Sequence, residues 1–268
     1  MPLHLPLLAP ADWSIVVRDA VTDEILLGHQ ASRQLRTASI GKIFLLIEVA
    51  RLADQGELDL EERLSWQDDE WVADSGLLYL LGQEDRTVAD LCVLVGAVSD
   101  NLATNVLVRR IGIDAIARMS RGLDCQDSAL LDRIRANRDP QDPPTLSVGT
   151  AAELSLVMAR LHRGQVVNVS VSARVLRWLA AGSDLSMVAA AFELDPLAHA
   201  EPDRGITLVN KTGTISTARI DIGTVSGPAG TVAYAVGANW AAGTDLRDDV
   251  LGCMRSIGSA IRAHVSGR

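Results

Sequence analysis

The sequence has few of the residues from which metal sites and covalent frameworks are built. Cysteine occurs only three times, at Cys92, Cys125 and Cys253, an odd number without repeated spacing that fits neither a disulfide framework nor a zinc site. The five histidines are scattered without the spacing of metal ligands. We therefore expect neither a metal nor another cofactor.

Long apolar runs and clusters of basic residues are absent as well. No apolar run approaches the roughly 20 residues that cross a bilayer, so we expect no membrane partner. The net charge of −9 argues against nucleic acid as a partner, because phosphate binding needs clustered Lys and Arg. The first ten residues are apolar but contain no Lys or Arg, which makes them a poor signal peptide and predicts a cytoplasmic protein.

Lysine is the rarest charged residue. It occurs only at positions 42 and 211 among 25 basic residues, and all the others are arginine. Arginine stays protonated at any physiological pH, whereas a desolvated lysine can lose its proton and act as a base. Two positions that keep lysine in such an arginine-rich sequence need something that arginine cannot supply, so their neighbours are candidates for a functional site.

Three short motifs mark these positions. Lys42 closes a Ser-x-x-Lys at 39–42, Lys211 opens a Lys-Thr-Gly-Thr at 211–214, and a Ser-Asp-Asn lies between them at 99–101. Each motif alone is weak evidence, because Ser39 by itself is more often a helix cap and the other two are an ordinary turn and a strand end. Finding serine three residues before one lysine and Thr-Gly after the other has a chance of roughly 3 in 10,000 at this composition, so the combination indicates function.

The ordered set Ser-x-x-Lys, Ser-Asp-Asn and Lys-Thr-Gly resembles the class A β-lactamases and the related penicillin-binding proteins. The resemblance extends over most of the chain and implies a small-molecule substrate. It implies that Ser39 is the nucleophile, that Lys42 takes its proton, and that Ser99 relays a proton to the leaving nitrogen. Lys211, a second ammonium facing the same cleft, would help to lower the pKa of Lys42.

The same resemblance assigns the substrate-binding residues. Asn101 would hold Lys42 and the substrate amide by hydrogen bonds. The backbone N–H groups of Ser39 and Thr214 would form the oxyanion hole, and Thr212 and Thr214 would bind a substrate carboxylate together with Lys211. Arg219, on the next strand, is a candidate second cation for that carboxylate.

The hydrophobic pattern predicts an α/β protein of the α+β kind, with an antiparallel sheet flanked by helices and an inserted all-helical subdomain. Residues 1–38 and 205–268 would form the sheet subdomain, and residues 39–204 the helical one. The predicted strands are 13–19, 24–28, 218–225 and 231–239, together with the strand of the Lys-Thr-Gly motif. The predicted helices include 39–52, 87–96, a segment through 106–110, one that ends near 161, 171–181 and 246–265.

One element of the family pattern is missing. Class A β-lactamases carry a Glu in a loop between the second and third motifs, and this Glu activates the water that removes the acyl group from the serine. The corresponding stretch, 131–145, contains no Glu. Asp132, Asp139 and Asp142 are available, but no spacing marks one of them as a substitute. The sequence therefore predicts acylation of Ser39 but not fast deacylation.

Three functions agree with these features. The first is a β-lactamase-like serine hydrolase that opens a β-lactam, or another small amide or ester, through an acyl-Ser39 intermediate. The second is a carboxypeptidase-like or esterase activity, with D-Ala-D-Ala peptides as the carboxypeptidase substrate. The third is a β-lactam-binding protein that is acylated and then deacylates slowly. We rank them in this order.

Overall fold

A computed structural model describes residues 3, 5, 8–82, 85–199 and 201–267. The prediction drawn from the first ten residues falls partly on residues outside this set. The strands are, in chain order, β1 (Asp12–Asp19), β2 (Ile25–His29), β3 (Leu35–Arg36), β4 (Arg63–Ser65), β5 (Asp85–Thr87), β6 (Ala129–Leu130), β7 (Ser147–Gly149), β8 (Thr207–Ile215), β9 (Ala218–Gly227) and β10 (Gly230–Asn239).

The main sheet has five antiparallel strands in the order β2-β1-β10-β9-β8. The hairpin of β9 and β10 closes where Gly227 pairs with Gly230, and β1 pairs with β10 along its whole length. The sheet is therefore assembled from both ends of the chain, and the predicted fold class is confirmed. Because β8 is an edge strand, one side of the Lys-Thr-Gly segment faces away from the sheet.

Between β2 and β8 the described chain contains six of its seven α-helices. The helices are α1 (Lys42–Asp54), α2 (Val88–Val98), α3 (Asn101–Ile111), α4 (Ile113–Gly122), α5 (Ala151–His162), α6 (Val169–Ala180) and α7 (Arg247–Ser266). The predicted helix 39–52 is split, because Ser39 lies in a 3₁₀ turn, Ala38–Gly41, that leads into α1.

The two faces of the sheet bury separate hydrophobic clusters. Successive side chains of a strand point to opposite faces, so in β1 Val16 joins the cluster around the helices while Ile15 and Val17 join the other one. The second cluster is covered by α7 and by the 3₁₀ segment Val188–Phe192. Helix α1 is buried at every position from Lys42 to Ala50, which fixes the site that lies at its N-terminus.

Candidate active site

The three motifs meet in one cleft of about 510 Å³ between the edge strand β8 and the helices. Most of the predicted site residues line it: Ser39, Ser99, Asn101, Lys211, Thr212 and Thr214. Lys42 is fully buried beneath this surface and reaches it through hydrogen bonds. The fold thus brings together residues that lie up to 175 positions apart in the chain.

Ser39 is held in a constrained turn. The preceding residue, Ala38, adopts a left-handed backbone with φ of 49°, a conformation that costs energy for a residue with a side chain and that is often found at functional sites. Strand β8 approaches this turn closely, since a Cβ on Gly213 would lie 2.3 Å from the carbonyl oxygen of Thr37 and 3.3 Å from the Ser39 nitrogen. The glycine of Lys-Thr-Gly therefore allows the contact between the strand and the serine turn.

The second motif lies between two helices. Ser99 ends α2 in a left-handed conformation with φ of 55°, and Asp100 begins α3 as its N-cap by accepting from the Ala103 nitrogen at 2.9 Å. The other carboxylate oxygen of Asp100 accepts from the nitrogens of Leu77 and Leu78. Asp100 therefore anchors the backbone that presents Ser99 and Asn101, and it does not face the cleft itself.

The two lysines of the chain meet at Ser99. Lys42 Nζ donates to the Ser99 carbonyl oxygen at 2.6 Å and to Asn101 Oδ1 at 2.7 Å, and it lies 3.4 Å from Ser99 Oγ. Lys211 Nζ donates to the same Ser99 Oγ at 2.8 Å and to the Thr212 carbonyl oxygen at 2.9 Å. The Ser99 hydroxyl thus connects the two amines, as a proton relay between them requires.

Burial changes the acidity of both lysines. Desolvation, and then the nearby charge of Lys211, hold the pKa of Lys42 well below its ordinary value of 10.5. Desolvation also lowers the pKa of Lys211 to about 8, against the opposing charges of Asp184 and Asp221. Burial therefore makes Lys42 easier to deprotonate than an ordinary lysine, while Lys211, with a pKa of about 8, stays mostly protonated near neutral pH.

Arg219 lies near the start of β9, the strand that follows the Lys-Thr-Gly strand. Its side chain does not line the cleft. The guanidinium donates to the carbonyl oxygens of Ile215, at 2.7 Å, and Ala218, at 2.8 Å, and it lies over the ring of Trp240 at 5.9 Å. The tight turn between β8 and β9 offers these carbonyls to the arginine, so its described contacts are structural.

The loop 131–145 brings an apolar residue to the cleft. Ile134 lines the cleft, and its backbone is fixed by Asn105, whose Oδ1 accepts from the Ile134 nitrogen at 2.7 Å and whose Nδ2 donates to the Ile134 carbonyl oxygen at 3.0 Å. No pattern in the sequence marks Ile134, because an isoleucine within a polar loop carries no chemical signature.

The loop carboxylates are used for structure. Asp132 is buried and binds Arg135 at 2.8 Å and Arg138 at 2.6 Å, and Asp142 binds Arg135 at 3.2 Å and the Asp139 nitrogen at 2.9 Å. None of these three aspartates lines the cleft. The cleft carboxylates that the structure does describe are Asp74 and Asp184, and sequence reasoning missed both.

The described ranges contain neither a cluster of metal ligands nor a membrane-crossing helix. Residues 8–82, 85–199 and 201–267 contain no group of three His, Cys, Asp or Glu side chains that could hold a metal ion. No helix in the described part of the chain combines the length and apolarity needed to cross a membrane.

Comparison with known proteins identifies the family of the chain. The model of the β-lactamase enzyme family, Beta-lactamase2, matches residues 7–265. The chain belongs to this family. Among curated protein sequences, none matches the chain significantly.

Several solved structures share the fold. A β-lactamase from Sphaerobacter thermophilus DSM 20745 superposes with a TM-score of 0.82 at 24% identity, over 96% of this chain and 92% of that one. A β-lactamase from Xanthomonas campestris pv. campestris gives 0.79 at 20% identity, over 96% and 93%. PBP-A gives 0.78 at 18% identity, over 94% and 89%, and a mutant of PBP-A has been solved as an acyl-enzyme complex with penicillin G.

Proposed function

We propose that the chain is a serine hydrolase that forms an acyl-Ser39 intermediate with a β-lactam or a related small amide or ester, and that it releases the acyl group slowly. The observation that carries the proposal is the continuous hydrogen-bonded path Lys42–Ser99–Lys211, which lies in the cleft that Ser39 lines. Membership of the β-lactamase enzyme family supports the same reaction class.

Acylation begins with Lys42. A neutral amine has two N–H bonds, and the carbonyl of Ser99 and the amide oxygen of Asn101 accept both of them. The lone pair of Nζ is then available to take the hydroxyl proton of Ser39. As the proton leaves, Ser39 Oγ forms a bond to the substrate carbonyl carbon, and the carbonyl oxygen becomes an oxyanion.

The oxyanion and the leaving group need two further groups. The backbone N–H groups of Ser39 and Thr214 bind the oxyanion, a stabilisation typically worth a few kcal/mol. When the C–N bond breaks, the nitrogen takes the proton of Ser99 Oγ, and the ammonium of Lys42, now protonated, returns a proton to Ser99. Lys211 holds the Ser99 hydroxyl in place throughout by its 2.8 Å hydrogen bond.

Hydrolysis of the ester finds no comparable group on the loop 131–145. A general base positioned beside the attacking water contributes typically 10²–10⁴-fold in rate. Ile134 lies in the cleft where the loop could offer a carboxylate, and Asp132 is bound to two arginines. The same observation favours a second candidate function, a β-lactam-binding protein in which acylation is productive and deacylation is incidental.

Mass spectrometry after mixing with a penicillin tests the proposal. We expect a one-to-one adduct on Ser39 that lasts minutes or longer, slow turnover of nitrocefin, and no adduct in Ser39→Ala. Rapid nitrocefin turnover without a detectable adduct would overturn the slow-release part. Persistent labelling of Ser39→Ala would overturn the assignment of the nucleophile, provided that its circular dichroism matches the wild type.

A further inference from the structure

The end of the cleft formed by the Lys-Thr-Gly strand contains an unexpected acid. Asp184, which precedes the strand by more than twenty residues, lines the cleft with Lys211 and Thr212. The Thr212 hydroxyl donates to Asp184 Oδ2 at 2.7 Å. A hydroxyl has one proton to donate, so this bond uses the proton with which Thr212 could bind a substrate carboxylate.

Asp184 is fixed in this position. Its Oδ1 accepts from the Ser186 hydroxyl at 2.6 Å and from the Ser186 nitrogen at 3.1 Å, while its backbone carbonyl accepts from Asn210 Nδ2 at 3.1 Å. Both carboxylate oxygens therefore have partners, and the side chain is held toward Thr212. A substrate that enters the cleft therefore encounters a carboxylate whose position is fixed by these hydrogen bonds.

The charge of Asp184 also acts on Lys211. Its negative charge raises the pKa of Lys211, and so partly offsets the desolvation that lowers it. Asp184 thus places a negative charge beside the ammonium that would otherwise attract a substrate carboxylate. A second carboxylate at this end would be repelled by Asp184 and would find the Thr212 proton engaged.

We propose that Asp184 determines substrate specificity by selecting acyl donors whose leaving-group side carries no free carboxylate, namely uncharged amides and esters or groups that offer an N–H to the aspartate. The inference rests on the proposed function, because it names the substrate class of the same cleft. It predicts that a carboxylate next to the scissile bond slows acylation of Ser39.

A matched pair of probes isolates this effect. Benzylpenicillin and its methyl ester share the β-lactam and the side chain but differ in the charge next to the ring. The measurement is the second-order rate constant for forming the Ser39 adduct, followed by mass spectrometry. We expect the wild type to react faster with the ester, and Asp184→Asn to raise the rate with the acid by about tenfold or more, since it removes a Coulomb repulsion. The rate with the ester should change by less than about threefold.

Two further variants serve as controls. Asp184→Ala also frees the Thr212 hydroxyl and should favour the acid at least as strongly as Asp184→Asn. Asp195→Asn makes the same change of charge at an exposed position outside the cleft and should leave the acid-to-ester ratio unchanged.

The outcomes separate the two proposals. A wild-type preference for the acid, or a ratio that Asp184→Asn leaves unchanged, overturns the role of Asp184 while the acyl-enzyme proposal stands. If neither probe labels Ser39 in any variant, both proposals fail. Should the Asp184 variants fail to fold, the wild-type ratio alone decides, because a preference for the ester supports the inference and a preference for the acid overturns it.

Discussion

The two walls of the cleft differ in the groups that they offer to a reaction. On one wall, Lys42, Ser99 and Lys211 form a hydrogen-bonded path in which both amines are buried and have lowered pKa values. On the other wall, the loop 131–145 presents Ile134 and keeps its buried aspartate in ion pairs. In the function that we propose, the first wall moves a proton during acylation, whereas the second offers the cleft no described carboxylate for the water of deacylation.

The largest expected effect tests the wall formed by Lys42, Ser99 and Lys211, which we call the lysine wall. Lys42→Arg keeps the positive charge but removes the ability to accept a proton at neutral pH, so we expect the rate of Ser39 acylation to fall by about 10³-fold. Lys211→Arg keeps the charge that holds Ser99 and should cost about tenfold or less. The measurement is the labelling rate of each variant with a fluorescent penicillin.

Lys42→Arg and Lys211→Arg serve as controls for each other, because both replace a lysine of the same cluster with arginine. Circular dichroism checks that both fold, since a guanidinium is larger than an ammonium and both sites are buried. Equal rates for the two variants would show that the lysines do not divide the roles of base and charged partner.

The lysine wall was also the part that the sequence predicted. Its residues carry chemistry in their identity, and two lysines among 25 basic residues mark the positions by themselves. The strands of the main sheet were predicted for a related reason, because β1, β9 and β10 have eight to ten residues and are rich in β-branched and aliphatic side chains. The two- and three-residue strands were not predicted, since such short segments show too few periods to be recognised, and helix α4 was missed as well.

The other residues of the cleft depend on contacts that no motif encodes. Asp184 reaches the cleft because Asn210, on β8, binds its backbone, and the nearby Ser183 binds the Ala97 carbonyl at the end of α2. Ile134 reaches it because Asn105 binds its backbone. These positions follow from tertiary packing, and one sequence alone gives no pattern from which to infer them.

A substitution at Ile134 tests the other wall of the cleft, formed by the loop 131–145, which we call the loop wall. We expect Ile134→Glu to shorten the lifetime of the acyl-Ser39 adduct by about 10²-fold, because it adds a general base at the position that the Asn105 clamp directs into the cleft. The lifetime is read by mass spectrometry after excess penicillin has been removed.

Ile134→Gln is the matched control, since it has nearly the same shape but cannot take a proton. Asp132→Glu is a second control, because its carboxylate remains beside Arg135 and Arg138 and should not shorten the lifetime. If Glu and Gln at position 134 give the same lifetime, the missing carboxylate does not limit deacylation.

The pH dependence of acylation distinguishes the role of Lys42, which must be neutral, from that of Lys211, which must be charged. The rate should rise with pH as Lys42 loses its proton, at a pH well below 10.5, because burial lowers its pKa. It should fall again as pH rises through about 8, where Lys211 loses its charge, and approach a tenfold loss per pH unit above that. Lys211→Arg should abolish the fall on the alkaline side, since arginine stays protonated. An alkaline limb that survives in this variant would assign it to another group.

The smallest expected effect concerns Arg219, on the strand next to β8 and outside the lining of the cleft. Its guanidinium is bound to the carbonyls of Ile215 and Ala218 and lies over Trp240, so Arg219→Gln should change the acylation rate by less than about threefold with either benzylpenicillin or its methyl ester. Because the arginine is partly exposed, losing these contacts should lower stability by only about 1 kcal/mol, or about 2–4 °C in melting temperature for a chain of this size. A thermal melt and the two labelling rates measure both effects on one preparation. A loss of acylation specific to the acid, with an unchanged melting temperature, would instead make Arg219 a cation for the substrate carboxylate. Asp184 would then repel the same carboxylate that Arg219 attracts.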